Sequence, residues 1–317
     1  MSSSDPVGAS ATSPAFEQRV PAFVNPYSPN GRDAREALVQ AGQFEIVDLD
    51  GKTVRSQIEA AVSAGARRVL VAGGDGTLGT AAAALMGSDV ELAVFAAGTL
   101  NHFAKDHGIP EDAGEAIGTA LGGVTATVDA GVVSDHAFLN TASVGMYVRY
   151  VRTRERFERF LGYRVASAAA LITTFLQPRV ISVELQVGGA KHLYRTPLLF
   201  VGVGERELKA PEFGGRVAGG RRGLHVIIVR GRRPARLLTM AMAAAARGVD
   251  HAAASPDLDS FVVESCTVRV RGRRSMTIGL DGELIRVPAP LEFRLARDSL
   301  RVVGARPPAY EPAGDSA

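Results

Sequence analysis

The sequence predicts two domains: an N-terminal doubly wound parallel α/β domain and a C-terminal antiparallel β-sandwich domain. From about residue 20 to 130, short apolar runs alternate with stretches of helical composition. This alternation is typical of parallel strands joined by right-handed helical crossovers. After residue 133, many apolar runs follow one another closely, as in an antiparallel sandwich. A length of 317 residues accommodates two such domains.

The N-terminal domain is predicted over residues 20–132 and has a ligand site at one edge of its sheet. Ligands of doubly wound folds bind beyond the carboxyl ends of the strands. Glycine-rich or Asn-Pro loops follow the first, third and fourth predicted strands, so we expect these loops to form the site. The strands are predicted at Val20–Val24, Phe44–Leu49, Val69–Ala72 and Leu92–Ala96, and the helices at Asp33–Ala41, Val54–Ala64 and Leu78–Met86.

The β-sandwich domain is predicted over residues 133–304, with its last strands expected to pack back on the first domain. Val180–Val187 and Ala190–Arg195 flank Gly188-Gly189, which predicts a hairpin with a two-residue turn. Residues 1–19 and 305–317 are predicted to be disordered tails from their composition. Further strands are predicted at Leu198–Val203, Leu224–Val229, Phe261–Arg271, Met276–Leu280 and Leu291–Leu295, and helices at Tyr147–Phe175 and Pro234–Arg247.

The composition is that of an ordinary globular protein, with 46% hydrophobic and 22% charged residues. No apolar run reaches the roughly 18 residues that a membrane-spanning helix needs. The N-terminus has neither the basic start nor the apolar segment of a secretory signal. The single cysteine, Cys266, excludes an internal disulfide. These observations favour a cytoplasmic protein.

Two stretches of the chain are rich in basic residues although the net charge is only +3. Arg149–Arg164 holds six arginines and two glutamates, and Arg206–Arg236 holds nine lysines and arginines. One interpretation is an ordinary solvated surface. The other is peripheral contact with anionic lipid headgroups, to which each cation contributes about 1 kcal/mol. Nucleic acid is not expected, because no aromatic stacking pattern accompanies the charge.

Residues 69–77 form a β-branched strand that runs into Gly73-Gly74-Asp75-Gly76-Thr77. Glycines let the backbone approach a phosphate closely, and the following helix N-terminus supplies free N–H groups. Thr77 suits an N-cap role. The carboxylate of Asp75 would repel phosphates unless it binds Mg²⁺ or fixes the loop by hydrogen bonds. The alternative is a plain strand-to-helix turn.

The Gly73–Thr77 segment resembles the nucleotide loop of the diacylglycerol kinase and sphingosine kinase superfamily, which NAD kinases share. Gly98-Thr99-Leu100-Asn101-His102-Phe103-Ala104 resembles the Gly-Thr-x-Asn-Asp-Phe-Ala motif of this family, a block that NAD kinases lack at that distance. Asn25-Pro26-Tyr27-Ser28 resembles its Asn-Pro-x-Ser loop, and Asp281-Gly282-Glu283 its Asp-Gly-Glu block. The four blocks occur in family order. The chain therefore resembles a lipid kinase of the bacterial diacylglycerol kinase type.

The resemblance implies a kinase that uses ATP and Mg²⁺ to phosphorylate a lipid hydroxyl, on diacylglycerol or a sphingoid-like lipid, at the inner face of the membrane. Asp281 would be the general base, and Glu283 would assist it through Mg²⁺ or by orienting it. Asp75 would also contact the catalytic Mg²⁺. The nucleotide-binding residues would be Asn25, Ser28, Gly73, Gly74, Asp75, Gly76, Thr77, Gly98, Thr99 and Asn101.

Three departures from the family pattern leave other functions open. Thr80 and His102 stand where many family members have carboxylates. Arg222 stands where a carboxylate would help to bind a structural Mg²⁺ in the second domain, so that metal is not expected. The alternatives are a kinase of a soluble small molecule such as NAD, and a catalytically silent lipid- or nucleotide-binding protein. A homodimer is a further open alternative.

Overall fold

The structure is a computed structural model that describes residues 19–50, 53–176, 179–207, 215–230, 258–306 and 310. Its N-terminal part contains four parallel strands in the order β2-β1-β3-β4. All four predicted strands and the three predicted helices are present, with ends shifted by three residues or fewer. The elements are β1 (Val20–Val24), α1 (Gly31–Ala41), β2 (Phe44–Asp48), α2 (Val54–Ser63), β3 (Arg68–Gly73), α3 (Asp75–Leu85), β4 (Glu91–Ala96), α4 (His102–Asp106) and α5 (Ala113–Gly122).

Helices cover both faces of this parallel sheet. On one face, α2 and α3 bury Ile58, Leu78 and Leu85 against the strands. On the other face, α1 and α5 bury Leu38 and Ala116. Because both faces are covered, β3 is buried along its whole length, as expected for a central strand of an all-parallel sheet. The predicted doubly wound α/β fold is confirmed.

The C-terminal part is an antiparallel β-sandwich, as predicted. One sheet has the order β12-β11-β10-β7-β14-β15. It packs face to face on β5, β8, β13 and β16, and the shared core includes Val201, Val226 and Ile278 from one sheet and Leu185 and Phe293 from the other. The elements are β5 (Thr125–Val133), β6 (His136–Phe138), β7 (Thr141–Gly145), α6 (Met146–Leu176), β8 (Ile181–Val187), β9 (Ala190–Thr196), β10 (Leu198–Val203), β11 (Leu224–Val229), β12 (Leu258–Val263), β13 (Ser265–Val270), β14 (Ser275–Leu280), β15 (Glu283–Pro288) and β16 (Leu291–Val303).

Strand β16 joins the two parts into one ten-stranded sheet. Its first residues pair antiparallel with β13, and its end pairs parallel with β4, where Arg301 lies opposite Glu91. The strand is much longer than the predicted Leu291–Leu295. A β-bulge between Ala296 and Leu300 places charged residues in mid-strand, and this interrupts the apolar alternation that the prediction followed.

The predicted strand Phe261–Arg271 is wrong, because two strands lie there. β12 belongs to the six-stranded sheet and β13 to the ten-stranded sheet. The apolar pattern continues across Glu264, where the chain changes sheets, so the pattern gave no sign of the break. The predicted helix Pro234–Arg247 lies outside the described residues.

Most residues of the two predicted tails also lie outside the described part of the chain. Tyr310 is described and is held in place. Its hydroxyl donates to Asp129 Oδ2 at 2.9 Å, and the guanidinium carbons of Arg216 and Arg222 lie 5.9 and 5.5 Å from the centre of its ring. None of the helices in the described part of the chain is long and apolar enough to cross a membrane.

Candidate active site

The loops that follow β1, β3 and β4 meet at one edge of the parallel sheet. Asn25 Nδ2 donates to Thr77 Oγ1 at 3.0 Å, which links the first two loops. A Cβ added to Gly98 would lie 2.6 Å from Gly74 Cα, so the second and third loops touch through their backbones. A side chain at either glycine would force the loops apart. The first N–H groups of α3 have no partner within the helix, and they lie where these loops converge.

Several predicted nucleotide residues hold the loops in shape. Asn101 adopts a left-handed conformation with φ 51°, and its Oδ1 accepts the Gly98 N–H at 2.9 Å. Ser28 donates its backbone N–H to Asn25 O, and Thr99 is exposed. The predicted N-cap role of Thr77 is wrong, because α3 begins at Asp75 with Gly74 as its N-cap. Thr77 instead lies in the first helical turn, where its side chain covers Gly73.

Asp75 fixes the loops by hydrogen bonds, one of the two roles expected for it. Its Oδ2 accepts the His102 N–H at 3.1 Å and its Oδ1 accepts the Phe103 N–H at 3.0 Å. Oδ1 also accepts from Asn140 Nδ2 at 3.0 Å. The carboxylate therefore anchors the start of α4 and reaches across to the β-sandwich. One lone pair on Oδ2 remains open.

Asp281 and Gly282 form the two-residue turn between β14 and β15. Their φ angles are 45° and 92°, as a type I′ turn requires. The Asp281 carboxylate accepts three backbone N–H groups, from Leu139 at 2.7 Å, Asn140 at 2.9 Å and Thr141 at 2.8 Å. Burial raises the pKa of Asp281 to about 7, although the three N–H donors lower it. The negative charge of Asp75 also raises this pKa.

The turn lies directly against the first turns of α3. A Cβ added to Gly76 would lie 2.4 Å from Glu283 Oε1, and one added to Gly79 would lie 2.9 Å from Asp281 Oδ2. The two glycines make room for the two carboxylates. The side chain of Glu283 is exposed to solvent and has no hydrogen bond to any residue that the structure describes. Partial burial raises the pKa of its carboxyl.

Asn140 joins the two carboxylates, and no role was predicted for it from the sequence. Its Nδ2 binds Asp75 and its backbone N–H binds Asp281, while its buried Oδ1 has no partner among the residues that the structure describes. The signal available was weak: Asn140 begins a segment, Asn140–Gly145, that resembles a minor family block.

The available oxygens fit a Mg²⁺ ion that arrives with phosphates. Among the described residues, no three acidic, histidine or cysteine side chains converge as a metal site. Each of the carboxylates of Asp75 and Asp281 accepts three N–H groups, so three of its four lone pairs are already used. The open acceptor positions are the oxygens of Glu283, one lone pair on Oδ2 of Asp75, one on Oδ2 of the buried Asp281, and the Oδ1 of Asn140. Mg²⁺ is commonly held by one or two carboxylates together with substrate phosphates and water.

The three departures from the family pattern have defined roles in the structure. The Thr80 hydroxyl donates to Gly76 O at 3.1 Å, and His102 binds Asp75 through its backbone. Arg222 binds Asp129 at 2.5 Å and Asp298 at 2.8 Å. Although burial opposes it, the Arg222 hydrogen bond helps to lower the pKa of Asp129 below its usual value. The guanidinium of Arg222 thus supplies positive charge to Asp129 and Asp298, in place of the metal that was not expected here.

Comparisons with known proteins bear on this site. A family described as "Diacylglycerol kinase catalytic domain" matches residues 19–133, which contain the three loops. A diacylglycerol kinase of Mycobacterium tuberculosis is 27% identical over 188 residues, which is 55% of this chain and 61% of that protein. A "Probable lipid kinase YegS-like" protein of Pseudomonas putida is 34% identical over 166 residues, 50% of this chain and 51% of that protein.

The chain thus spans between half and two thirds of the length of these two relatives. A YegS-like protein of Klebsiella pneumoniae is 28% identical over 258 residues, 76% of this chain and 82% of that protein. The crystal structure of a diacylglycerol kinase from Bacillus anthracis superposes with a TM-score of 0.65 at 17% identity, covering 90% of this chain and 96% of the other, and supports the two-part fold. The resemblance predicted from the sequence is confirmed: residues 19–133 match the model of the diacylglycerol kinase catalytic-domain family.

Proposed function

We propose that the protein is an ATP- and Mg²⁺-dependent lipid kinase that transfers the γ-phosphate of ATP to the hydroxyl of diacylglycerol or a sphingoid-like lipid. One observation carries the proposal: the turn of residues 281–283 lies on the N-terminus of α3, with Glu283 against Gly76. This arrangement brings a carboxylate from the β-sandwich to the loops suited to hold phosphates. Phosphoryl transfer needs little more than such positioning and charge neutralisation.

In the proposed reaction, the backbone N–H groups at the start of α3 bind the phosphates of ATP. The lipid hydroxyl oxygen forms a bond to the γ-phosphorus, and the bond from that phosphorus to the bridging oxygen of ADP breaks. The hydroxyl proton passes to a carboxylate of the turn. Mg²⁺ bound with the phosphates would neutralise part of their charge, and Glu283 and the open lone pair of Asp75 would hold it.

The resemblance implies that Asp281 is the base and that Glu283 assists it. The contacts of the two carboxylates favour the reverse assignment. Asp281 is only 8% exposed, and three backbone donors take three of the four lone-pair positions of its carboxylate. Glu283 is exposed and faces Gly76. We therefore propose Glu283 as the proton acceptor and Asp281 as the anchor of the turn. A pKa raised to about 7 also suits a general base, so the experiments below test Asp281 in that role as well.

Helix α6 is the surface that we propose for contact with the membrane. Six of the eleven large apolar side chains that are exposed among the described residues lie on it. They flank a break at Gly162, and the exposed arginines 152, 156 and 159 precede them. Apolar side chains beside cations are typical of helices that lie in a bilayer interface. The six are Phe160, Leu161, Val165, Leu171, Ile172 and Leu176.

The second basic stretch is less suited to this contact than the sequence suggested. Four of its five described arginines bind acidic side chains of the same chain: Arg206 binds Asp106, Arg221 binds Glu205, Arg222 binds Asp129 and Arg230 binds Asp259. Arg206 is also fully buried. These cations are largely neutralised within the protein, so we place the membrane contact, and the proposed location at the inner face of the membrane, on α6 alone.

The activity test is transfer of label from γ-labelled ATP to a lipid extract, with and without Mg²⁺. We expect a labelled lipid that forms only with Mg²⁺. Label that appears instead on NAD or another soluble acceptor would favour the soluble-substrate alternative. ATP binding without any transfer would favour a silent binding protein.

The membrane test compares two substitutions on α6, Phe160→Ser and Ile172→Ser, with Leu193→Ser on β9, which is 65% exposed and distant in sequence. We expect the α6 variants to lose binding to anionic vesicles while the β9 variant keeps it. Binding of the unaltered protein should fall with added salt, because exposed charges are screened over about 10 Å at 0.1 M. Equal binding by all variants would exclude α6 as the contact.

A further inference from the structure

Arg206 is a fully buried cation for which the proposed reaction has no direct use. It is 1% exposed, and its Nη1 lies 2.5 Å from Asp106 Oδ2. A Cβ added to Gly202 would lie 2.4 Å from Arg206 Cγ, so the fold leaves space for this side chain. Burial of a charge is costly unless the charge is well paired, so its position calls for an explanation.

The guanidinium reaches the strand segment that holds Asp281. Arg206 Nε donates to Val203 O at 2.8 Å, and the Val203 N–H donates to Asn140 O at 3.0 Å. Arg206 Nη2 also lies 3.5 Å from Leu139 O, at the outer limit of a hydrogen bond. The N–H groups of residues 139–141 point the other way, to the Asp281 carboxylate. One segment is thus held between a buried cation and a buried anion.

The same guanidinium is tied to the nucleotide loops. Its partner Asp106 is the last residue of α4, and Asp75 binds the first N–H groups of that helix. A continuous series of contacts therefore runs from Asp75 through α4 to Arg206. It continues through residues 139–141 to Asp281 and the turn that carries Glu283. Both sides of the candidate site are attached to one side chain.

We propose that Arg206 is a positioning residue that fixes the turn of residues 281–283 against the nucleotide loops. Arg206 touches neither ATP nor the lipid; it acts through residues 139–141. This proposal rests on the proposed function only for its effect on turnover, since the order of residues 139–141 is measurable without a substrate.

The test compares Arg206→Met with Arg222→Met. Arg222 is an arginine of the same part of the chain that pairs with Asp129 and Asp298 and has no described bond to residues 139–141. Hydrogen exchange followed by mass spectrometry would report on the amides of residues 139–141. We expect Arg206→Met to speed their exchange about tenfold and Arg222→Met to leave it unchanged, even though both variants lose thermal stability.

Turnover supplies the second measurement. We expect kcat to fall at least tenfold in Arg206→Met with little change in the affinity for ATP, and to stay near the unaltered value in Arg222→Met. If Arg206→Met does not fold, the double variant Arg206→Met and Asp106→Leu removes both buried charges and takes its place. Unchanged exchange at residues 139–141, or equal kcat in the two arginine variants, would overturn the proposal. Absence of kinase activity in the unaltered protein would refute the proposed function, and the exchange result would still decide the role of Arg206.

Discussion

The α/β part and the β-sandwich part contribute different chemical groups to the candidate site. In the α/β part, the polar side chains of Asn25, Asp75 and Asn101 are bonded within the protein, and the open groups are backbone N–H groups and one lone pair of Asp75. The β-sandwich part presents an open side chain, Glu283, on a two-residue turn. Under the proposed function, phosphate binding would depend on how closely the backbones approach, whereas proton transfer would depend on one carboxylate.

Of the glycine substitutions, the one expected to reduce turnover most is at Gly76, where the two parts touch. Gly76→Ala adds a Cβ that would lie 2.4 Å from Glu283 Oε1, so the flexible end of Glu283 must move away. Alanine favours a helix over glycine by about 1 kcal/mol, so folding should not suffer. We expect kcat to fall about 100-fold with an unchanged or raised Tm, in the range typical of a lost proton acceptor.

Gly118→Ala is the matched control, because Gly118 lies in α5 and nothing would lie within 4 Å of its added Cβ. That variant should gain a little stability and keep its kcat. A Gly76→Ala variant with normal turnover would show that Glu283 does not need its present position.

A smaller effect is expected when only the contact between the two backbone loops is changed, at Gly98. Gly98→Ala would place a Cβ 2.6 Å from Gly74 Cα and push the two loops apart. We expect the Kd for ATP, measured by calorimetry, to rise about tenfold, which corresponds to about 1.4 kcal/mol. Catalysis by the ATP-bound enzyme should change less. If the Kd is unaltered, the nucleotide does not depend on the contact between these loops.

The third effect is on stability and its dependence on pH rather than on the reaction. Burial raises the pKa of Asp281 to about 7, whereas an unfolded aspartate titrates near 4. The folded protein therefore holds a proton that the unfolded chain has released. The stability contributed by this group is full below about pH 4 and is lost as the pH rises through 7.

Asp281→Asn removes this titration. The quantity to follow is the difference in the free energy of unfolding between the unaltered protein and the variant. It should fall between pH 4 and pH 8 by up to about 4 kcal/mol, because each of about three pKa units corresponds to about 1.4 kcal/mol. Urea unfolding at several pH values measures this difference. Asp135→Asn, at an exposed aspartate, serves as the control and should show no such trend. A difference that grows with pH would mean that the three backbone donors outweigh burial.

Much of the fold could be predicted from the sequence, because parallel strands and their crossovers have distinct apolar patterns. The loops could be located for the same reason, since glycines after strands mark the ligand edge of such a sheet. Motif order also indicated that residues 281–283 belong with these loops, and the structure places them there. The domain boundaries at 20–132 and 133–304 remain predictions.

The roles of individual side chains were harder to predict, because they depend on contacts between residues distant in sequence. Asp281 and Glu283 are two residues apart and chemically alike, but the turn sends one toward the amides of residues 139–141 and the other toward Gly76. Asn140 and Arg206 lie outside the strong motifs, and nothing in their local sequence marks a buried connection. The arginine-rich stretches have similar composition, yet one is largely exposed and the other is paired internally.

The most direct test of the account compares kcat for Glu283→Gln and Asp281→Asn on the same lipid acceptor, with ATP affinity and Tm measured for both. We expect Glu283→Gln to lose about 10² to 10⁴ in kcat while its Tm and ATP affinity stay near those of the unaltered protein. Asp281→Asn should lower Tm, because the turn of residues 281–283 loses its anchor. Its kcat should fall less than that of Glu283→Gln. A Glu283→Gln variant with near-normal kcat, beside a folded but inactive Asp281→Asn variant, would contradict the account and identify Asp281 as the base.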